Sequence, residues 1–91
     1  PTTAIPAFDL GIMNPRTIRN KAASPLTWLS FTYPFNMTGL PAASIPCGWT
    51  NDGLPIGMQI IGRRFDEMTV LQASKAFQDI APWQDKKPQI Q

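Results

Sequence analysis

Residues 36–67 read NMTGLPAASIPCGWTNDGLPIGMQIIGRRFDE, and the order of apolar runs and breakers in them decides the fold. Ala42 to Pro46 reads as a strand that stops or bulges at Pro46, because proline has no N–H to give to a ladder. Asn51-Asp52-Gly53 is a turn signal. Pro55 to Ile61 is the return strand. Alternation puts Ile56, Met58 and Ile60 on one of its faces and Gly57, Gln59 and Ile61 on the other. Both faces are largely apolar, the pattern of a strand covered on both sides.

Gly62 to Phe65 then turns the chain into a helix expected from Asp66 to about Asp79. Asp66 is a good N-cap, and Glu67 places negative charge in the first turn, where the helix dipole favours it. Val70, Ser74, Phe77 and Ala81 follow the helical period, with Leu71 widening the stripe. Pro82 ends it. Residues 36–82 therefore form a hairpin–helix unit. Residues 83–91 are a polar tail in which Trp83 is the candidate anchor.

Residues 1–35 are irregular, proline-rich and aromatic. Prolines at 1, 6, 15 and 25 interrupt any long element, and Asn14-Pro15 and Ser24-Pro25 are turn signals. Thr17 to Ala23 suits one or two helical turns. Leu26 to Phe31 suits a short helix with Ser24 as N-cap and Pro25 at the first helical position. Tyr33 precedes a proline and is expected to be extended. Trp28, Phe31, Tyr33 and Phe35 are dense enough to pack a core. The competing reading makes them an aromatic wall beside a substrate pocket.

The bulk composition sets outer bounds. The chain has 91 residues, 43% hydrophobic and only 15% charged, against about a quarter charged in typical domains. A small free domain needs more charge to cover its surface. The chain thus reads as interior belonging to something larger, expected to self-associate or to order only against a partner when isolated. The net charge is +2, with the basic residues scattered, which excludes a nucleic-acid stripe. No apolar run approaches the roughly 20 residues that span a bilayer. There is one cysteine and no histidine, so no internal disulfide, metal-ligand spacing or cysteine–histidine pair exists. Cys47 is expected to be a small buried hydrophobe. Asp66 and Glu67 are adjacent and point apart, so they make no acid–base pair. Asn36-Met37-Thr38 matches a glycosylation sequon, a pattern that arises often by chance.

The stretch PFNMTGLPAASIPCGWTNDGLPIGMQIIGRRFDEMTVLQASKAF resembles the C-terminal portion of the amidase signature family. The shared pattern is Asn36, Gly39-Leu40-Pro41-Ala42 and Pro46-x-Gly48. It continues through Asp52-Gly53-Leu54-Pro55-x-Gly57-x-Gln59 to Gly62-Arg63 and Asp66-Glu67. The resemblance implies an α/β fold, a mixed β-sheet flanked by helices, of which residues 1–91 are a C-terminal segment. It implies an amide hydrolase acting on carboxamide C–N bonds through two serines and a lysine, with backbone amides as oxyanion hole. That machinery lies in a glycine- and serine-rich stretch with no match here. Ser24, Ser30, Ser44 and Ser74 lack the flanking glycines, so no catalytic residue carries over. No metal and no cofactor is implied. The expected partners are the remainder of the amidase chain and a small-molecule amide, in the cytoplasm, with no nucleic acid and no membrane.

One departure selects a branch. The tRNA-dependent amidotransferase subunits of the family usually carry an acidic residue five positions before the proline of the stretch matching Thr32-Tyr33-Pro34-Phe35-Asn36, where it helps recognise the amino group of glutamine. Here that position is Leu29. An apolar residue would leave a substrate ammonium unpaired, which favours a general amidase over an amidotransferase subunit; a free-standing interaction module that kept only this segment is the alternative from a different class. The matching loop in relatives borders the substrate channel, so the resemblance makes Ser44, Ile45 and Cys47, with Trp28 and Phe31 as an apolar wall, the candidate pocket lining.

Overall fold

The structure is a computed structural model that describes residues 1–90. Along the chain come β1 (Thr17–Ile18), β2 (Lys21–Ala22), a 3₁₀ turn (Thr27–Leu29), α1 (Tyr33–Thr38), β3 (Ala42–Trp49), β4 (Pro55–Ile61) and α2 (Glu67–Ile80). The strands form two antiparallel pairs, β1–β2 and β3–β4.

The second hairpin organises the molecule. Its register pairs Ala42 with Ile61, Ser44 with Gln59 and Pro46 with Gly57, then slips, so that Gly48 faces Ile56. Cys47 is the extra residue of a β-bulge. Beyond the bulge, β3 continues to Trp49, three residues further than its sequence suggests. At its tip, Gly53 takes φ 83° and Leu54 N–H donates to Thr50 Oγ1. At the open end Gly62 N–H donates to Pro41 O at 3.0 Å. Counting from that bonded pair, Ala43/Ile60 and Ile45/Met58 are also hydrogen-bonded pairs, and Ser44/Gln59 and Pro46/Gly57 are not. The N–H that Pro46 lacks would have pointed out of the hairpin, so the ladder loses nothing there.

α2 begins as its sequence suggests. Asp66 Oδ1 accepts from Thr69 N–H and its Oδ2 from the Thr69 hydroxyl. The helix packs against β3 and β4. Ile45 and Val70, at 8% and 4% exposure, are the buried apolar residues. Ser74 and Phe77 are half-buried, but Leu71 is 62% exposed. The expected stripe is thus narrower in fact: a two-stranded sheet covers only its Val70–Ser74–Phe77 seam.

Two upstream elements differ from expectation. Thr17 to Ala23 is a hairpin, not a helical turn. Arg19 and Asn20 both have positive φ, 50° and 60°, the two-residue turn that matches strand twist, and Ala23 N–H closes the pair on Arg16 O. Tyr33 is the first residue of α1 rather than extended. A proline in the first helical turn gives up an N–H that has no intrahelical partner anyway, and this outweighs the extended bias of the preceding residue. Gly39, at φ 70°, caps the helix by donating to Phe35 O. The segment before it holds only a 3₁₀ turn, whose N-cap is Leu26 with no side-chain cap rather than the expected Ser24; Ser24 instead donates its backbone N–H to Thr27 Oγ1.

The accessible surface is 7450 Å², where a compact globule of this mass exposes about 5,300 Å². The radius of gyration is 15.0 Å, against roughly 12 Å for a compact chain of this length. Much apolar surface is open, including Met68, Leu71, Ile80 and Leu10. Among the described residues no helix is long and apolar enough to cross a membrane.

Candidate functional site

Strand alternation gives the β3–β4 pair two unlike faces. Ile45 is buried on one. The other carries Ser44, Gly57 and Gln59, and it receives the N-terminal residues. Thr2 N–H donates to Gly57 O at 2.9 Å, and the Thr2 and Ser44 hydroxyls lie 2.6 Å apart. Gly57 has to be glycine for this contact, since a Cβ there would lie 2.8 Å from Thr2 Oγ1 and 2.9 Å from Ser44 Oγ.

The aromatic segment joins the same face. Ala4 N–H donates to Trp28 O at 3.3 Å, and Gln59 Nε2 donates to Phe31 O at 2.6 Å. The Trp28 ring meets Phe8 edge-on, with centroids 5.4 Å apart. Phe31 is 44% exposed and lines a depression of about 390 Å³ with Pro1, Ala4 and Ser30. A shallower cleft of about 250 Å³ opens over Ser44, Ile45, Pro46 and Gly57.

The five candidate lining residues thus divide. Ser44, Trp28 and Phe31 are tied to one face through Thr2, Ala4 and Gln59. Ile45 contributes to the cleft but is itself buried. Cys47 is exposed, not buried, because the bulge swings it out of the alternation; its thiol reaches Ile56 O at 3.5 Å. Thr2 and Gln59 are the functional candidates that the sequence alone does not mark. A single amide side chain in the otherwise apolar β4 is the signal that could have drawn attention to Gln59.

The serine hydroxyls have structural partners. Ser24 Oγ lies 3.0 Å from Thr27 Oγ1, Ser30 Oγ donates to Thr27 O and Ser74 Oγ to Val70 O. None of these bonds, nor that of Ser44, involves a lysine. Lys75 pairs instead with Asp79, four residues on, at 2.6 Å. Among the described residues no group of acids or cysteine is arranged to hold a metal ion.

The family model described as Amidase matches residues 1–71. The chain belongs to the amidase family. The A subunit of the glutamyl-tRNA(Gln) amidotransferase of Oceanobacillus iheyensis is 42% identical, with 99% of this amidase chain and 17% of that protein covered. Its counterpart in Geobacillus stearothermophilus is 43% identical, with 97% and 17% covered. Among solved structures, a bacterial aryl acylamidase of the amidase signature family superposes with a TM-score of 0.79 at 39% identity, covering 92% of this chain and 18% of that one. A 6-aminohexanoate cyclic dimer hydrolase superposes with a TM-score of 0.69 at 40% identity, covering 74% and 14%. The chain thus spans 17% of the length of the curated amidase relatives it matches, and its hairpin–helix unit is an α/β segment of their fold.

Proposed function

We propose that this chain is part of a cytoplasmic amide hydrolase that cleaves carboxamide C–N bonds of a small molecule. The two serines and the lysine of the reaction lie outside residues 1–91, and the remainder of an amidase chain packs against this segment. Of the two solved relatives, one is named an aryl acylamidase and the other a hydrolase, at 39% and 40% identity, and this observation carries the reading. Two others support it. The serine hydroxyls here are engaged in hydrogen bonds within this segment, and none is paired with a lysine, so the chemistry needs other residues. The surface in excess of a compact globule is about 2,000 Å², the size of a permanent interface.

The names of the curated relatives favour a second reading, a subunit of a tRNA-dependent amidotransferase. Leu29 weighs against it. It is a half-buried apolar side chain in the 3₁₀ turn, and it offers no partner to an ammonium group. A free-standing interaction module is disfavoured by how little of the chain is buried.

The test compares residues 1–91 alone with the complete polypeptide that carries them. The complete polypeptide should hydrolyse aryl or aliphatic amides, and the segment alone none. Turnover by the segment, abolished by replacing one of its own serines, would overturn the proposal. Activity only on glutamine, stimulated by charged tRNA, would establish the second reading. Ser44→Trp in the complete polypeptide should shift preference from long towards short acyl amides with stability nearly unchanged.

A further inference from the structure

We infer that Gln59 is a positioning residue that holds the Trp28–Phe31 segment at a set distance from the Ser44 face and so fixes the width of the acyl pocket. The inference rests on the amide-hydrolase reading. It adds a residue to that site, and a determinant of which acyl groups fit.

Besides the edge-on contact of Trp28 with Phe8, hydrogen bonds place the segment. Its own hydrogen bonds are local: Leu29 N–H to Leu26 O, Ser30 N–H to Thr27 O and Thr32 N–H to Leu29 O. Such bonds shape a turn without saying where the turn sits. Among the described residues, two hydrogen bonds tie residues 27–32 to distant parts of the chain. One is the 3.3 Å bond from Ala4 N–H to Trp28 O. The other is the 2.6 Å bond from Gln59 to Phe31 O, across 28 positions. The first leads to the N-terminal residues, themselves resting on Gly57 and Ser44. The second comes straight from the sheet. Gln59 stands opposite Ser44 in the register, so the residue at the Ser44 cleft and the residue that holds Phe31, which lines the neighbouring depression, share one rung of the hairpin.

The chemistry suits the role. A carboxamide donates through Nε2 without bringing charge to the pocket edge. Leu29 and Phe31 flank Ser30 in this turn, so displacing the Phe31 carbonyl moves both apolar side chains. Losing one neutral hydrogen bond at such a joint is expected to alter recognition of bulky groups about three- to tenfold.

Gln59→Met removes the donor at similar length, Gln59→Glu replaces it with an acceptor facing the carbonyl, and Gln59→Lys restores a donor. Each is made in the complete polypeptide and assayed against amides of increasing acyl size, with hydrogen exchange followed at residues 28–32. The expected result is faster exchange there in the Met and Glu variants. KM for the largest acyl amide should change three- to tenfold, with kcat for the smallest within twofold, and the Lys variant should recover the slow exchange. Unchanged exchange overturns the clamp, whether or not the polypeptide hydrolyses amides. Faster exchange with all substrates slowed in proportion overturns the specificity role. A wild type inactive on every amide overturns that role together with the functional reading, while the exchange data still decide the clamp.

Discussion

Replacing Gly62 by alanine tests how tightly the hairpin is stapled to α2. An ideal Cβ at Gly62 would lie 2.6 Å from Val70 Cγ2 and 3.1 Å from Asp66 O. Carbon pairs rest at about 3.5–4.0 Å, so the overlap with Val70 is about 1 Å. Val70 cannot swing aside: it is 4% exposed, and a β-branched side chain in a helix has essentially one rotamer. Gly62 is not in the left-handed region, so contact alone is at issue. Overpacking of this kind costs about 1–3 kcal/mol. Val70→Ala alone removes two methyl groups, worth about 1.6 kcal/mol in transfer and roughly 2 with the cavity. If the alanine methyl clashes chiefly with the valine, the double variant should lose roughly 2 kcal/mol rather than the roughly 3–5 expected from addition, a coupling of about 1–3 kcal/mol. Urea denaturation of the complete polypeptide, followed by circular dichroism at unchanged m value, measures all four corners. Additivity within about 0.5 kcal/mol would refute the staple.

Asp66→Ala should destabilise by about 1 kcal/mol and Asp66→Asn by less, since asparagine also caps well; faster hydrogen exchange over residues 67–69 confined to the alanine variant would confirm that the cap acts locally. The segment alone should self-associate in sedimentation velocity, driven by its uncovered apolar area; a monomer at high concentration with a sharp thermal transition would count against the interface.

The hairpin–helix unit is legible in the sequence because its signals are local and mutually consistent. A proline, an Asn-Asp-Gly turn, an apolar run and a capping aspartate each have one good use in that order, and β4 has the bounds its sequence suggests. The length of β3 is not legible, because only the register shows that one extra residue absorbs the interruption at Pro46. The 17–22 hairpin is hidden because Arg19-Asn20 lacks the glycine that usually announces a two-residue turn. Leu71 misleads because periodicity reports an apolar stripe without saying how wide a surface waits to receive it. For the site, Trp28 and Phe31 announce themselves as aromatics. Thr2 and Gln59 stay silent because their role is a contact across 42 and 28 positions, which no local pattern encodes.

Pro46 carries a consequence for anything that tries to grow on this sheet. On the outer margin of β3, Ala42 and Ser44 direct their N–H groups away from the hairpin, and the next group in that row is an imide with no hydrogen. A guest strand laid there finds two donors and then a dead end. Growth along that margin is self-terminating, in the way that natural sheets blunt their open edges. The β4 margin carries stops of its own: Pro55 begins its outward row, and Thr2 already sits on Gly57, which leaves Gln59 and Ile61 open. An imide thus closes the outward row on each margin, and neither side of the hairpin offers an uninterrupted template to a guest strand.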